Sequence, residues 1–205
     1  MRSLLVLATV VILSGTALAD HHKKKAVTLF NGKDLSGWVV MYEGDWKIED
    51  GVLVGRKGVK WTTNPKKSGS WLRTEKEYSN FVFEFEYSIN QKGNSGVFLR
   101  SGLKENPAFT GHEMQILDDH GRAKPEVWST GALYDVVAAK KNMSKLAGEW
   151  NKVKIETAGP QIKIWFNGEQ IVDYKSDRNT KGYLGLQNHD EHAVVKYRNL
   201  RVTEK

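Results

Sequence analysis

The 205-residue chain contains no cysteine. Disulfides, thiolate metal sites and a lipid-modified cysteine anchor are excluded on that ground alone. An exported form of this chain must be held together by its core. Proline is scarce, at four residues, and helix signals are few. Only 140–146 reads as a possible turn of helix. There is no internal repeat, no low-complexity tract and no linker signal after residue 26. The apolar run from Leu4 to Leu13 falls short of the roughly 20 residues that a membrane span needs. A nucleic-acid-binding module is also missing. The formal charge is +7, of which Arg2 supplies one. The basic residues are scattered, as at Lys23–Lys25, Lys57, Lys60, Lys140, Lys141, Lys152 and Lys154, with acidic residues between them. That is the pattern of a solvated surface and not of a nucleic-acid footprint.

The N-terminus has the parts of a secretory signal. Arg2 provides the positive region, Leu4 to Leu13 the apolar region, and Ala17-Leu18-Ala19 a small-x-small cleavage site. The expected organisation is a signal peptide over 1–19, a basic flexible leader over 20–26 and a single domain over 27–203. The expected location is periplasmic or extracellular, with no stable membrane insertion after cleavage. Oligomeric state cannot be read from the sequence.

Past residue 26 the chain reads as short strands with turn signals between them. "WKIEDGVLVG" is a hairpin about Asp50-Gly51, and Asn167-Gly168 marks another. "FVFEFEYSI" (81–89) alternates most cleanly, with Phe81, Phe83, Phe85, Tyr87 and Ile89 on one side. About a dozen such segments imply an all-β fold: a two-sheet antiparallel jelly-roll sandwich.

The same alternation assigns outer faces. Met114 and Ile116 are core residues of "EMQIL", so Glu113 and Gln115 lie opposite. Leu184 and Leu186 place Gln187 and His189 opposite, and "NSGVFLR" places Arg100 with Asn94, Gly96 and Phe98. If these strands share a sheet, Arg100, Glu113, Gln115, Gln187 and His189 share its outer face. Gly96 and Gly185 would leave room over it for a ligand. The set is rich in planar donors and acceptors that suit sugar hydroxyls. Tyr134, at the end of a short strand over 132–134, joins them as a substrate-binding candidate. Trp165 falls on the polar face of "QIKIWF", where an indole either stacks on a sugar or covers a sheet edge. Asp118, Asp119 and His120 end "EMQILDDHG". They are turn formers and also possible ligands, with Asp118 and His120 the candidates for a divalent cation, calcium or another.

Eight segments in order carry a resemblance: "LFNGKDLSGW", "WKIEDGVLVG", "NSGVFLR", "EMQILD", "GALYDV", "EWNKVKIE", "WFNGEQI" and "GLQNHDEHAVVKYRNLRV". The pattern resembles the 3-keto-disaccharide hydrolase family. The resemblance implies a concanavalin A-like lectin/glucanase sandwich, exported, acting on glycosides oxidised at C3. A ketone at C3 acidifies the C2 proton, so its removal permits β-elimination at C1 and later hydration. That route needs a base, an acid and an electrophile for the enolate oxygen. Glu113 and His189 are the candidates for proton transfer. Arg100, or a cation held by Asp118 or His120, is the candidate electrophile. Retaining glucanases need two carboxylates roughly 5 Å apart, and Gln115 cannot supply one. The alternative is a non-catalytic carbohydrate-binding module on the same fold. Either way the expected partner is a carbohydrate.

Overall fold

Strand formation follows the side-chain period of two. The computed structural model describes residues 25–60, 62 and 69–205. The expected signal peptide and residues 20–24 of the leader lie outside the described residues. The strands are β1 (Val27–Thr28), β2 (Trp38–Met41), β3 (Asp45–Glu49), β4 (Val52–Arg56), β5 (Trp71–Tyr78), β6 (Phe81–Ile89) and β7 (Asn94–Ser101). They continue as β8 (His112–Leu117), β9 (Asn151–Ala158), β10 (Gln161–Phe166), β11 (Glu169–Lys175), β12 (Gly182–Gln187) and β13 (Val195–Glu204).

They form two antiparallel sheets. The larger runs β11-β10-β9-β6-β13-β4-β3, with β1 beside β13. The smaller runs β2-β5-β12-β7-β8. Phe81, Phe83, Phe85 and Tyr87 face inward from the larger sheet, and Val97, Leu99, Met114, Ile116, Leu184 and Leu186 from the smaller. Burying each such side chain is worth about 1.5–3 kcal/mol, which fixes the register wherever one face is apolar. This is the expected all-β sandwich.

Two local features differ from expectation, and both bear on the site. The segment 140–146 is not helical. Among the described residues the helix is α1 (Pro107–Thr110). Asn106 caps it by accepting the Ala108 N–H at 3.0 Å, and Pro107 needs no N–H at the first position. The expected strand over 132–134 is instead a run of backbone pairing along edge strand β8. Gly131 N–H donates to the Gln115 carbonyl, Gln115 N–H to Ala132, and Tyr134 N–H to the Glu113 carbonyl at 2.8 Å. That pairing covers the free edge of β8 and sets Tyr134 beside Glu113.

Candidate active site

The register of β7 and β8 builds the floor. Gly96 lies opposite Gln115, and Phe98 opposite Glu113. On the other side of β7, Leu186 of β12 is level with Val97 and Gly185 with Phe98. Alternation then aims Glu113, Gln115 and Gln187 away from the core. They meet Asn94, Asn106, Ala108, Tyr134 and His189 around one cavity of about 60 Å³. A smaller space of about 10 Å³ adjoins it, shared with Phe98, Ser70, Asn106, Gln187 and His189.

Glu113 is 5 % exposed, and among the described residues no group hydrogen-bonds its carboxyl. Burial alone pushes the carboxyl up to about 8, because a charge there would be poorly hydrated and unpaired. Burial therefore favours the protonated form of Glu113, which can donate a hydrogen. Tyr134 is also shifted upward, first by burial and then by the nearby Glu113 and Asp135.

His189 lies two residues past the end of β12. Its Nδ1 lies 2.8 Å from Asp190 Oδ2. A carboxylate only accepts, so Nδ1 carries a hydrogen and the neutral ring keeps its lone pair on Nε2. Asp190 is itself fixed. Its Oδ1 accepts the His192 and Ala193 N–H groups, each at 3.0 Å. Burial opposes its ionisation, but the His189 and backbone bonds outweigh it and hold the carboxyl below the usual range.

The amides divide into donors and acceptors. Gln115 Oε1 accepts the Ile116 N–H, which leaves Gln115 Nε2 as a donor. Asn106 Oδ1 is committed to the helix cap, which leaves its Nδ2. Among the described residues Asn94 Oδ1 and Gln187 Oε1 are buried with no protein partner. An orphan oxygen of this kind costs about 1–3 kcal/mol, and both residues line the cavity.

Not every expected residue comes here. Glu113, Gln115, Tyr134, Gln187 and His189 do. Arg100 does not. Its φ is +54°, and between Tyr183–Gly185 of β12 and Phe98–Ser101 of β7 the register slips. The extra residue on β7 is a bulge, which turns the side chain off the alternating face. The guanidinium donates to Ser79 O and Gly159 O, each at 2.8 Å, and to Asn80 Oδ1. It is fully buried and ties the β5–β6 connection between the sheets and the β9–β10 turn to β7. Trp165 lies on the larger sheet, with Lys154 Nζ 3.7 Å from its ring centroid. The room over Gly96 and Gly185 is taken by protein. A Cβ on Gly96 would meet Glu113, and one on Gly185 would meet Trp71 and Phe98.

Asp118 and His120 are exposed and point to internal partners. Asp118 Oδ2 accepts the Lys92 N–H at 2.8 Å, and His120 Nδ1 lies 2.5 Å from the Ser144 carbonyl. Among the described residues no three His, Asp or Glu side chains converge as a metal site would require. This donor set does not fit a cation, and no step below is routed through one.

Asn94 and Asn106 also line the cavity, and Asp190 joins the site through His189, without being site candidates on sequence grounds. Asn94 shares the alternating face of β7 and was legible there. Asn106 is marked by its proline neighbour, a helix-start signal. Asp190 follows His189 directly, but sequence adjacency alone does not reveal a hydrogen bond.

The fold is a lectin-type sandwich whose smaller sheet carries a buried polar cavity with an acid and a histidine. Residues 25–203 match the 3-keto-alpha-glucoside-1,2-lyase-like domain, and the chain belongs to that family. It is 24% identical to a 3-keto-disaccharide hydrolase of Bacteroides thetaiotaomicron, over 86% of this chain and 77% of that one. A candidate glycosyl hydrolase of Parabacteroides distasonis is similar in structure, with TM-score 0.74 and 26% identity, over 88% of this chain and 100% of the other. The carbohydrate-binding module CBM66 of Bacillus subtilis shares the fold, with TM-score 0.58 and 18% identity over 82% and 96%.

Proposed function

We propose that this protein cleaves C3-oxidised glycosides by C2 proton abstraction, β-elimination and hydration. The observation that carries the reading is the meeting of Glu113, whose protonated form burial favours, with His189, whose neutral ring keeps its lone pair on Nε2, around one polar cavity. An acid and a base poised in opposite states are what the reaction needs. Family membership supports the same chemistry.

His189 Nε2 takes the C2 proton, and the C–H electrons form an enolate that runs through C3. The amide donors of Gln115 and Asn106 and the Tyr134 hydroxyl are available to its oxygen. The enolate collapses, the C3 carbonyl re-forms, a C1=C2 double bond forms and the C1–O bond breaks. Glu113 gives its proton to the departing oxygen. Hydration runs the two groups backwards. The Glu113 carboxylate takes a proton from water as its oxygen adds to C1, and the His189 imidazolium returns a proton to C2. Both groups end as they began. A cavity of about 60 Å³ holds roughly two waters. It admits the reacting edge of one ring while the rest of the glycoside lies outside.

Export to the periplasm or beyond is part of the proposal. It rests on the signal-like residues 1–19.

Incubation of the purified chain with 3-keto-trehalose or a 3-keto-glucoside, in D₂O, tests the reading. Sugar release with deuterium at C2 is the expected result. The absence of both release and exchange would overturn it. Binding of plain oligosaccharides without turnover would favour a binding module.

A further inference from the structure

We infer that Asp190 is a positioning residue for His189: its carboxylate fixes the imidazole as the Nδ1–H tautomer and so keeps the Nε2 lone pair available to the cavity. The inference rests on the proposed role of His189 as base.

Three observations support it together. The carboxylate reaches Nδ1 at 2.8 Å, and both side chains are mostly buried, 23% and 19% exposed. Hydrogen bonds in such a setting are less diluted by water than at an open surface. Asp190 is also held independently of the histidine. Oδ1 accepts two backbone N–H groups, and its main-chain carbonyl accepts the Gly58 N–H at 2.9 Å. The carboxylate plane cannot swing away, so the ring must fit to it. Finally, the preceding residue is clamped. Asn188 is fully buried, its Nδ2 donates to the Arg56 carbonyl at 2.9 Å, and its own carbonyl accepts the Ser70 hydroxyl at 3.0 Å. The chain on both sides of His189 is fixed, and only the ring torsions remain to be set.

The orientation matters because neutral imidazole has two tautomers of similar energy. If Nε2 carried the hydrogen, His189 would offer the cavity a donor and could not accept the C2 proton. An acceptor-only group at Nδ1 excludes that form. The same logic operates wherever a carboxylate orients a histidine base, and loss of the carboxylate there can lower kcat by about 10⁴ through the wrong tautomer.

Asp190→Asn tests the assignment. The amide keeps one oxygen for the His192 and Ala193 caps and turns an –NH₂ toward Nδ1. Long-range ¹H–¹⁵N spectra of the histidines, assigned with His189→Gln, report the tautomer directly. The expected result is Nδ1–H in the parent chain, a shift toward Nε2–H in Asp190→Asn, and a kcat on 3-keto-trehalose lowered by roughly 10²-fold or more with KM nearly unchanged. An Nε2–H tautomer in the parent, an unaltered tautomer in the variant, or an altered tautomer with undiminished kcat would each overturn it. Asp190→Ser, whose hydroxyl can keep the cap but cannot reach the ring, guards against a folding defect: kcat must fall in it while the melting temperature holds. If the parent chain shows no turnover, the proposed reaction fails by itself, and the spectra still decide the tautomer.

Discussion

The Glu113 carboxyl lies where the side chain of residue 96 would be. A Cβ built on Gly96 would sit 1.9 Å from Glu113 Oε1 and 2.6 Å from its Cδ. The two residues are neighbours across β7 and β8, Gly96 facing Gln115 and Phe98 facing Glu113. The acid is held against the bare backbone of one strand, mostly buried.

Gly96→Ala therefore displaces Glu113. The expected cost is about 1–3 kcal/mol of stability from overpacking, read as a lower denaturant midpoint. Turnover of a 3-keto-glycoside should fall more than about 10-fold, because the acid leaves its position. Stability and turnover both unchanged would show that the carboxyl has another resting place.

The Glu113 carboxyl makes stability fall as pH rises. Its ordinary value is 4.5 and burial pushes it up to about 8 in the fold. Between those values the unfolded chain has released a proton that the native chain keeps, so the native state loses about 1.4 kcal/mol per pH unit relative to it. Below the lower value no difference arises from this group. Glu113→Gln, neutral throughout, should remove that slope, and denaturation curves from pH 5 to 8 would reveal it. A slope shared by both proteins would contradict the assignment.

The same group sets the alkaline limb of the reaction. Protonating the leaving oxygen needs neutral Glu113, so kcat/KM should decline above about pH 8. Glu113→Gln should lower kcat by about 10²–10⁴-fold. Turnover in that variant equal to the parent would remove Glu113 from the mechanism.

Arg100 and Trp165 supply the contrast. Arg100→Met leaves the Gly159 carbonyl without its donor and the Ser79 carbonyl with only the Thr157 hydroxyl. At about 1–3 kcal/mol for each buried unsatisfied group, the variant should unfold at clearly lower denaturant, with KM unchanged while folded. Trp165→Ala loses a cation–π contact with Lys154 worth about 0.5–1 kcal/mol, and kcat/KM should stay within about twofold. A large KM change in either would mean that the site extends to them.

Much of this was legible in advance because strands have a period of two. Met114 and Ile116 on one side fix Glu113 and Gln115 on the other, and Leu184 and Leu186 do the same for Gln187. A bulge breaks the rule without a sequence mark. One extra residue in β7 took Arg100 off the shared face, and nothing in "NSGVFLR" signals it. Gly96 and Gly185 read as room for a ligand, and side chains of the protein occupy that room. What fills the space was not readable, since packing between strands far apart in sequence decides it.

By itself, then, the sequence determined the layered β fold, the absence of any thiol chemistry, and which residue types crowd the polar side of three strands. Those depend on local alternation and composition. Tertiary structure decided the protonation of Glu113, the pairing of His189 with Asp190, and the removal of Arg100 and Trp165 from the cavity. Each of these depends on dielectric, distance and register, quantities that exist only once the strands from Asn94, Glu113 and Gln187 lie side by side.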